Sequence, residues 1–409
     1  MTQSIDRADV LILGGGLVGL TLGLALDAHG ISSIIVDPAR REDVLRPGFD
    51  GRASAVASAS GRMLDAIGVS PRLAGLGCPI ASIRVSDGLA PGVLDFDPDP
   101  GSGPLGVMYE NRALRQALHQ AADEAPALDL RLETSAADVR RTEAGVTATL
   151  SDGRHVAAPL LIGAEGRRSP SREAAGIAVA RWSYDHQAII AAIGHELPHG
   201  GVAHEIFYPA GPFALLPLPD DADGHRSALV WTVKASDGPA MLRLGDRAFL
   251  DEAGKRMGRM LGALRVAGPR STYPLGFHHA ARITAERLAL VGDAGHGIHP
   301  IAGQGLNLGF RDVAALTQVL VEGARLGMDL GDRQLLARYE RWRALDTLAV
   351  ATATDGLARL FGVPGRTASA IRRAGLGLVQ RAPVLKRRFM AEARGEAGQL
   401  PCLLQGLPV

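Results

Sequence analysis

Ala8-Asp9-Val10-Leu11-Ile12-Leu13-Gly14-Gly15-Gly16-Leu17-Val18-Gly19 is the stretch whose reading decides the fold. The apolar run ahead of Gly14 has the character of a buried strand, and Leu20 to His29 that of the helix after it. A second strand, Ser33-Ile34-Ile35-Val36, ends at Asp37, which stands 18 residues beyond Gly19. In such a βαβ unit Gly14 makes the tight turn, Gly16 lets the backbone approach a pyrophosphate, and Gly19 permits close helix–strand packing. Leu17 and Val18 open the helix, where N–H groups have no intrahelical partner and suit an anion. Asp37, followed by Pro38, is placed to accept hydrogen bonds from an adenosine ribose. Hydropathy offers a rival, because Val10 to Leu26 carries no charge. That run is shorter than the roughly 20 residues a spanning helix needs. Its glycines also fall where the βαβ turn belongs, so it is read as neither span nor signal peptide.

A second glycine-rich block lies late in the chain, from Val291-Gly292-Asp293-Ala294-Gly295-His296-Gly297 through Pro300 to Gly303-Gln304-Gly305-Leu306-Asn307. Leu288 to Val291 reads as a buried strand that delivers Gly292 and Asp293 at its end. Gly303 and Gly305 open a helix carrying Asn307, Leu308 and Asp312. A helix start supplies free N–H groups and partial positive charge, which suits the negative charge of a reduced isoalloxazine ring. Asp293 is placed to hold a ribityl hydroxyl. His296 and His299 lack the acidic partner of a zinc motif and are read as structural, with no metal site expected.

Bulk properties limit the alternatives. A chain of 409 residues accommodates two domains, and 46% hydrophobic with 21% charged residues is a soluble globular composition. A net charge of +1 gives no reason to expect nucleic acid. Cys78 and Cys402 are too few and too far apart for a disulfide framework, and a reducing cytoplasm is the expected compartment. There is no Ser/His/Asp triad and no cysteine nucleophile to read, so no catalytic residue is assigned.

Between the two blocks, strands are expected at Ile80–Phe96, Leu128–Leu132, Val146–Leu150 and Val156–Ile162, the last leading into Gly163-Ala164-Glu165-Gly166. Helices are expected at Ser58–Ile67 and Glu110–Ala125. After Gly176 come strands at Ala188–Ile193, Val202–Tyr208, Phe213–Leu218 and Ala228–Val233, a helix over Arg247–Leu261 and a strand near Thr272–Leu275. No second dinucleotide fingerprint appears. The pattern predicts an α/β protein with a discontinuous nucleotide domain (1–77, 108–178 and 280–345). A mixed-sheet substrate domain (78–107 and 179–279) is inserted into it, and a helical C-terminal region (346–409) follows.

With the fingerprint, the Gly163–Ser169 turn and the Gly292–Asn307 block in that order, the chain resembles FAD-dependent aromatic hydroxylases of the p-hydroxybenzoate hydroxylase type. More narrowly it resembles the ubiquinone-biosynthesis hydroxylases, through Asp50-Gly51-Arg52, Phe207 to Leu218, Val230-Trp231 and Tyr273-Pro274-Leu275. The resemblance implies a glutathione-reductase-like Rossmann domain binding FAD, with NAD(P)H as a transient co-substrate. Gly14, Gly16, Gly19 and Asp37 would hold the ADP half. Arg52, Arg112 and Asp293 would approach the flavin, ribityl or pyrophosphate groups, and Pro300, Gly303, Gly305, Leu306 and Asn307 would border the isoalloxazine. Glu165 stands where the family's turn usually has Asp, and Gly295 where it usually has Ala.

The activity implied is hydroxylation of a polyprenylated phenol by O₂ through a flavin C4a-hydroperoxide, in which the cofactor carries the chemistry. A hydroxylase of a small soluble aromatic remains an alternative, as does a non-catalytic FAD-binding member of a ubiquinone-biosynthesis complex. Tyr208, Pro209, Gly211, Trp231 and Tyr273 are candidates for an aromatic-substrate pocket, the aromatics among them being equally readable as sheet core. Nine basic residues against one acid lie between Gly356 and Arg394, interleaved with apolar positions. That pattern fits either a membrane-surface helix, on the inner face of the membrane, or a tail packed on the nucleotide domain.

Overall fold

A computed structural model describes residues 5–89, 94–297, 304–344, 363 and 365–409. The βαβ unit over residues 10–36 folds as read. Val10–Leu13 and Ser33–Val36 are wholly buried parallel strands joined by the helix Leu17–Asp27. Leu20, Leu22 and Leu26 of that helix are fully enclosed, which explains why its sequence is apolar nearly all round. The two strands centre a six-stranded sheet ordered Thr284–Ala285, Leu288–Leu290, Leu160–Gly163, Val10–Leu13, Ser33–Val36, Leu128–Arg131. Every pair is parallel except the first, so the carboxyl ends of the strands meet along one edge.

The single strand expected at Val156–Ile162 is two. His155–Ala158 joins a four-stranded sheet with Ile5–Arg7, Gly145–Leu150 and Ala136–Thr142, whereas Leu160–Gly163 enters the six-stranded sheet. Pro159 lies at the break, where its missing N–H removes a ladder bond. Ala136–Thr142, mostly exposed and polar, carries no apolar alternation and escaped the sequence reading.

The mixed sheet has nine strands, built on the 17-residue strand Val179–His195. Its path runs from His296–Gly297 through Ser271–Ala280, Val179–His195, Gly224–Lys234, Gly211–Asp221, Val202–Tyr208 and Ser82–Asp87 to Leu94–Phe96, and the ninth strand, Leu264–Val266, pairs with Val179–His195 off this path. One face buries Ile189, Ile193, Phe213, Leu229 and Trp231 under the helix Asp246–Met257. The opposite face carries Tyr273, Ile190, Val230 and Leu216. Because His296–Gly297 pairs with His278 and His279, the late glycine block is hydrogen-bonded into this sheet. The same block begins at the end of Leu288–Leu290 in the six-stranded sheet, so it bridges the two.

Gln304–Arg325 is the long helix after that block, and Phe310, Val313, Leu316 and Leu320 sit in the main core. The C-terminal region is only partly helical. Helices Arg366–Arg381 and Pro383–Ala393 are followed by an irregular segment with one short turn, Cys402–Gln405. This corrects the expectation of helix almost to the end. The segment is pinned back on the nucleotide domain instead. Arg311 donates to the carbonyls of Gly395 and Ala397, Arg62 pairs with Glu396 at 2.8 Å, and Leu403 and Leu404 are fully buried.

Candidate functional site

The fingerprint forms an open cradle. Gly14 adopts φ +106°, and a Cβ there would meet the Ala164 carbonyl oxygen at 2.5 Å. A Cβ at Gly19 would fall 1.9 Å from the Gly14 oxygen, so the helix approaches the strand only as glycine. At Gly16, by contrast, a Cβ would meet nothing within 4 Å. This exposed N-cap has no side-chain cap, leaving the N–H groups of the first turn, at Leu17 and Val18, directed at that open space. An anionic pyrophosphate fits such a cradle. Asp37 follows the neighbouring strand, and its carboxylate accepts from the N–H groups of Gly15 at 2.7 Å and Ala39 at 2.7 Å. Those bonds fix the carboxylate beside the cradle, with lone pairs left over for a ribose. A groove of about 1530 Å³ runs from Gly14, Asp37 and Pro38 past Glu165.

The late block supplies the facing wall. Gly292 has φ +59°, and its N–H donates to Asp312 at 2.9 Å. Asp312 is buried and also accepts from His296 Nε2 at 2.6 Å and Arg343 Nε at 2.6 Å. Burial alone would raise this carboxyl's pKa, but His296 and Arg343 overcome it and hold it below the usual range. His296 is therefore a structural anchor of the block. Asp293 remains on the surface at 3.2 Å from Arg167. Its backbone carbonyl accepts from the ring of His278 at 2.7 Å. Arg167 and Asp293 both act electrostatically on Tyr273, as does Arg52, so these four share one region.

Asn307 is buried and its side chain is fully engaged in holding the helix Gln304–Arg325 against Ala53–Ala57. It accepts from the Ala57 N–H and the Ser60 hydroxyl, both at 2.9 Å, and donates to the Ala55 carbonyl at 2.8 Å. Gly305 and Leu306 stand beside it at the helix start. Pro300, Gly303 and His299 lie outside the described residues.

Three other residues named from the sequence have these surroundings. Glu165 is turned away from the cradle into the next helix start, accepting from the hydroxyls of Ser169 at 2.6 Å and Ser171 at 2.5 Å. Its extra methylene supplies the reach to these two hydroxyls, while Glu165 still lines the groove that begins at Gly14 and Asp37. Arg112 pairs with Glu110, which also holds Arg226 at 2.5 Å. Arg52 extends from the turn at Gly51 (φ +84°) into solvent.

The substrate-pocket candidates split. Trp231 is 4% exposed and packs on Phe213 and Phe249 beneath the covering helix. Tyr208 lies on the same face, with Arg256 against its ring and its hydroxyl donating to the Arg256 carbonyl at 2.5 Å. Both pack in the helix-covered core, the second of the two readings their sequence allowed. Strand alternation is the reason, because their positions point to the helix-covered face. Pro209 is exposed in the hairpin turn before Gly211 (φ +113°). Tyr273 alone among the three aromatics occupies the opposite face, with Asp293 and Arg167. Among the described residues no group of three His, Cys, Asp or Glu side chains is arranged to hold a metal ion.

The FAD binding domain family matches residues 7–354. Over 413 aligned positions, 100% of this chain and 95% of the relative, it is 46% identical to a protein of Rhodospirillum rubrum named ubiquinone hydroxylase UbiL. It is 33% identical to the 3-demethoxyubiquinol 3-hydroxylase of Escherichia coli, covering 95% of this chain and 98% of that one. In fold it is similar to the p-nitrophenol 4-monooxygenase PnpA of Pseudomonas putida (TM-score 0.80, 18% identity, 97% of this chain and 100% of that one).

Proposed function

The chain belongs to the FAD binding domain family and, within it, to the FAD-dependent monooxygenases of ubiquinone biosynthesis, and on that premise we propose that it hydroxylates the ring of a polyprenylated phenol with NAD(P)H and O₂. What carries the reading is the Gly16 cradle, open where a pyrophosphate belongs, in a chain matched end to end by a ubiquinone hydroxylase. Gly14, Gly16, Leu17, Val18, Gly19, Asp37 and Pro38 hold the ADP half of FAD. Asp293 would hold the ribityl chain, Arg52 and Arg112 would stand at its flank, and Gly292, Gly305, Leu306 and Asn307 would border the ring, as the sequence also implies for Pro300 and Gly303 outside the described residues. The division at 1–77, 108–178 and 280–345 against 78–107 and 179–279 belongs to the same proposal.

FAD supplies the activation of O₂ by electrons from NAD(P)H. The protein's part is orientation and exclusion of water. Tyr273 and the apolar sheet face with Ile190 and Val230 offer a dry surface against which an aromatic ring can lie. Asp312 keeps the Gly292–Gly297 turn rigid, so that the cofactor wall and the substrate sheet stay in register.

Peripheral attachment to the inner face of the membrane is the second part of the proposal. The two C-terminal helices tuck Leu376, Val379 and Met390 against the fold, while Ile371, Leu378, Val384 and Phe389 stay exposed beside Arg381, Arg387 and Arg388. A prenyl-tailed substrate resides in such a membrane. Among the described residues no helix is long and apolar enough to cross it.

The test is a flavin absorbance spectrum of the purified protein, then NADPH oxidation in air with and without 2-prenylphenol. A flavin spectrum, stimulated oxidation and a product heavier by one oxygen are expected. A folded protein without flavin overturns the cofactor assignment. Flavin with stimulation only by a phenol lacking a prenyl chain moves the substrate to a small soluble aromatic.

A further inference from the structure

Glu205 lies in the middle of the strand Val202–Tyr208, on the sheet face opposite Trp231. Cross-strand pairing sets it in one row with Ala214 and Val85, and Ala214 continues that row to Val230 and Ile190. Two residues along the strand, on the same face, are Ala203 and Phe207, against which Cys78, Ile80, Leu94, Phe96, Leu376 and Met390 gather in apolar clusters. Glu205 is 8% exposed as a whole residue, and no hydrogen bond or ion pair reaches its carboxyl among the described residues. A buried carboxyl without a partner costs stability, and a fold tolerates that where a ligand completes the site. Ala214 and Val230 are its next two neighbours along that row, so a phenol lying over them meets Glu205 as its polar contact.

We propose that Glu205 is a catalytic residue that binds the phenolic oxygen of the substrate and takes its proton during hydroxylation. The inference rests on the phenol-hydroxylase reading above. The O–H bond breaks, its proton passes to a Glu205 Oε, and the electron pair stays on the phenolic oxygen, raising electron density at the ring carbon that forms the new C–O bond. O₂ is the oxidant and NAD(P)H the reductant, as in the enzyme's own activity. One oxygen atom enters the ring and the other leaves as water. The displaced ring proton departs on rearomatisation, and the proton on Glu205 returns to the product oxygen. The prenyl chain then runs along Val85, Leu376 and Val379, toward the exposed side of the C-terminal helices.

Burial pushes the Glu205 carboxyl up to about 8. A base near that value is better matched to a phenol than an ordinary carboxylate is. Charges nearby are spoken for. On the same face Asp87 is paired with Arg372, and on the opposite face Arg84 lies beside Asp95 and His204.

The experiment measures hydroxylated 2-prenylphenol per NADPH consumed by the FAD-loaded full chain between pH 6 and 9.5. Wild type, Glu205→Gln and Glu205→Asp are compared. Product from the wild type establishes the hydroxylase beforehand, and its absence overturns both readings. With product present, wild-type turnover should rise with a midpoint near pH 8, where the carboxyl ionises. Glu205→Gln should keep its flavin, lose product formation by about 100-fold or more and lose that rising limb. Glu205→Asp should recover part of both. A Glu205→Gln enzyme with wild-type turnover and pH profile overturns the proposal. Where the Gln variant fails to hold FAD, a wild-type profile flat from pH 6 to 9.5 overturns it just as well.

Discussion

His296 Nε2 and Asp312 Oδ2 lie 2.6 Å apart in the interior, joining the glycine turn after Leu290 to the long helix Gln304–Arg325. Asp312 also takes the Gly292 N–H and the Arg343 guanidinium, so one carboxylate serves three elements. Replacing it by Asn deprives the buried Arg343 guanidinium of its counter-charge, and breaking a buried pair from one side costs about 3–5 kcal/mol. Asp312→Asn should therefore lower the melting temperature and weaken FAD binding together, read from thermal melts with and without added FAD. The pH dependence follows from the depressed folded pKa. Asp312's contribution is complete above the unfolded value of about 3.9 and is lost as pH falls through the lower folded value. A melting curve of Asp312→Asn that parallels wild type into acid would contradict this linkage.

Gly16 and Gly19 separate binding from folding. A Cβ at Gly19 would overlap the Gly14 oxygen at 1.9 Å, so Gly19→Ala should lose folded protein whether or not FAD is present. At Gly16 the same methyl meets open space. Gly16→Ala should leave apoprotein stability within about 1 kcal/mol while weakening FAD at least about tenfold, since the pyrophosphate must approach that atom. Titration of FAD into each refolded variant decides it, and equal FAD affinity in Gly16→Ala and wild type would remove the pyrophosphate from this cradle.

The backbone motifs were legible because their requirements are local. Gly14, Gly19 and Gly292 announce turns and contacts that other residues cannot make, and the strands around them are continuous apolar runs. Side-chain roles were less legible. Asp312 falls inside an ordinary helical pattern, and nothing in its neighbours shows that His296 and Arg343 converge on it. Nothing around Glu165 in the sequence shows that the hydroxyls of Ser169 and Ser171 converge on its carboxylate. Tyr208 and Trp231 carry the right chemistry for a pocket, but the register that sends them to the helix-covered face is settled by pairings across the sheet. Glu205 was passed over because a lone acid in a strand reads as a solvent-facing position.

The core assignment of those aromatics has its own consequence. Tyr208→Phe removes one hydrogen bond, to the Arg256 carbonyl, and should cost about 1 kcal/mol. Trp231→Ala opens a cavity beside Phe213 and Phe249 and should cost about 3–5 kcal/mol. Neither should alter the KM for 2-prenylphenol in the protein that remains folded. A KM shift in Tyr208→Phe with unchanged stability would return this face to the substrate.

At the C-terminal helices the two faces can be separated by mutation, because Leu378 and Phe389 are 66% and 46% exposed and hold no core position. Replacing both by Ser should leave the melting temperature and flavin content unchanged. If these side chains enter a lipid surface, each apolar burial contributes about 1.5–3 kcal/mol, and their joint loss should reduce co-sedimentation with vesicles containing anionic phospholipid by about 100-fold or more. Raising the salt concentration should weaken wild-type binding as well, because Arg381, Arg387 and Arg388 meet the headgroups through screened charge. Salt-sensitive binding that survives the double substitution would assign the contact to charge alone, and vesicle-independent sedimentation of wild type would end the membrane proposal.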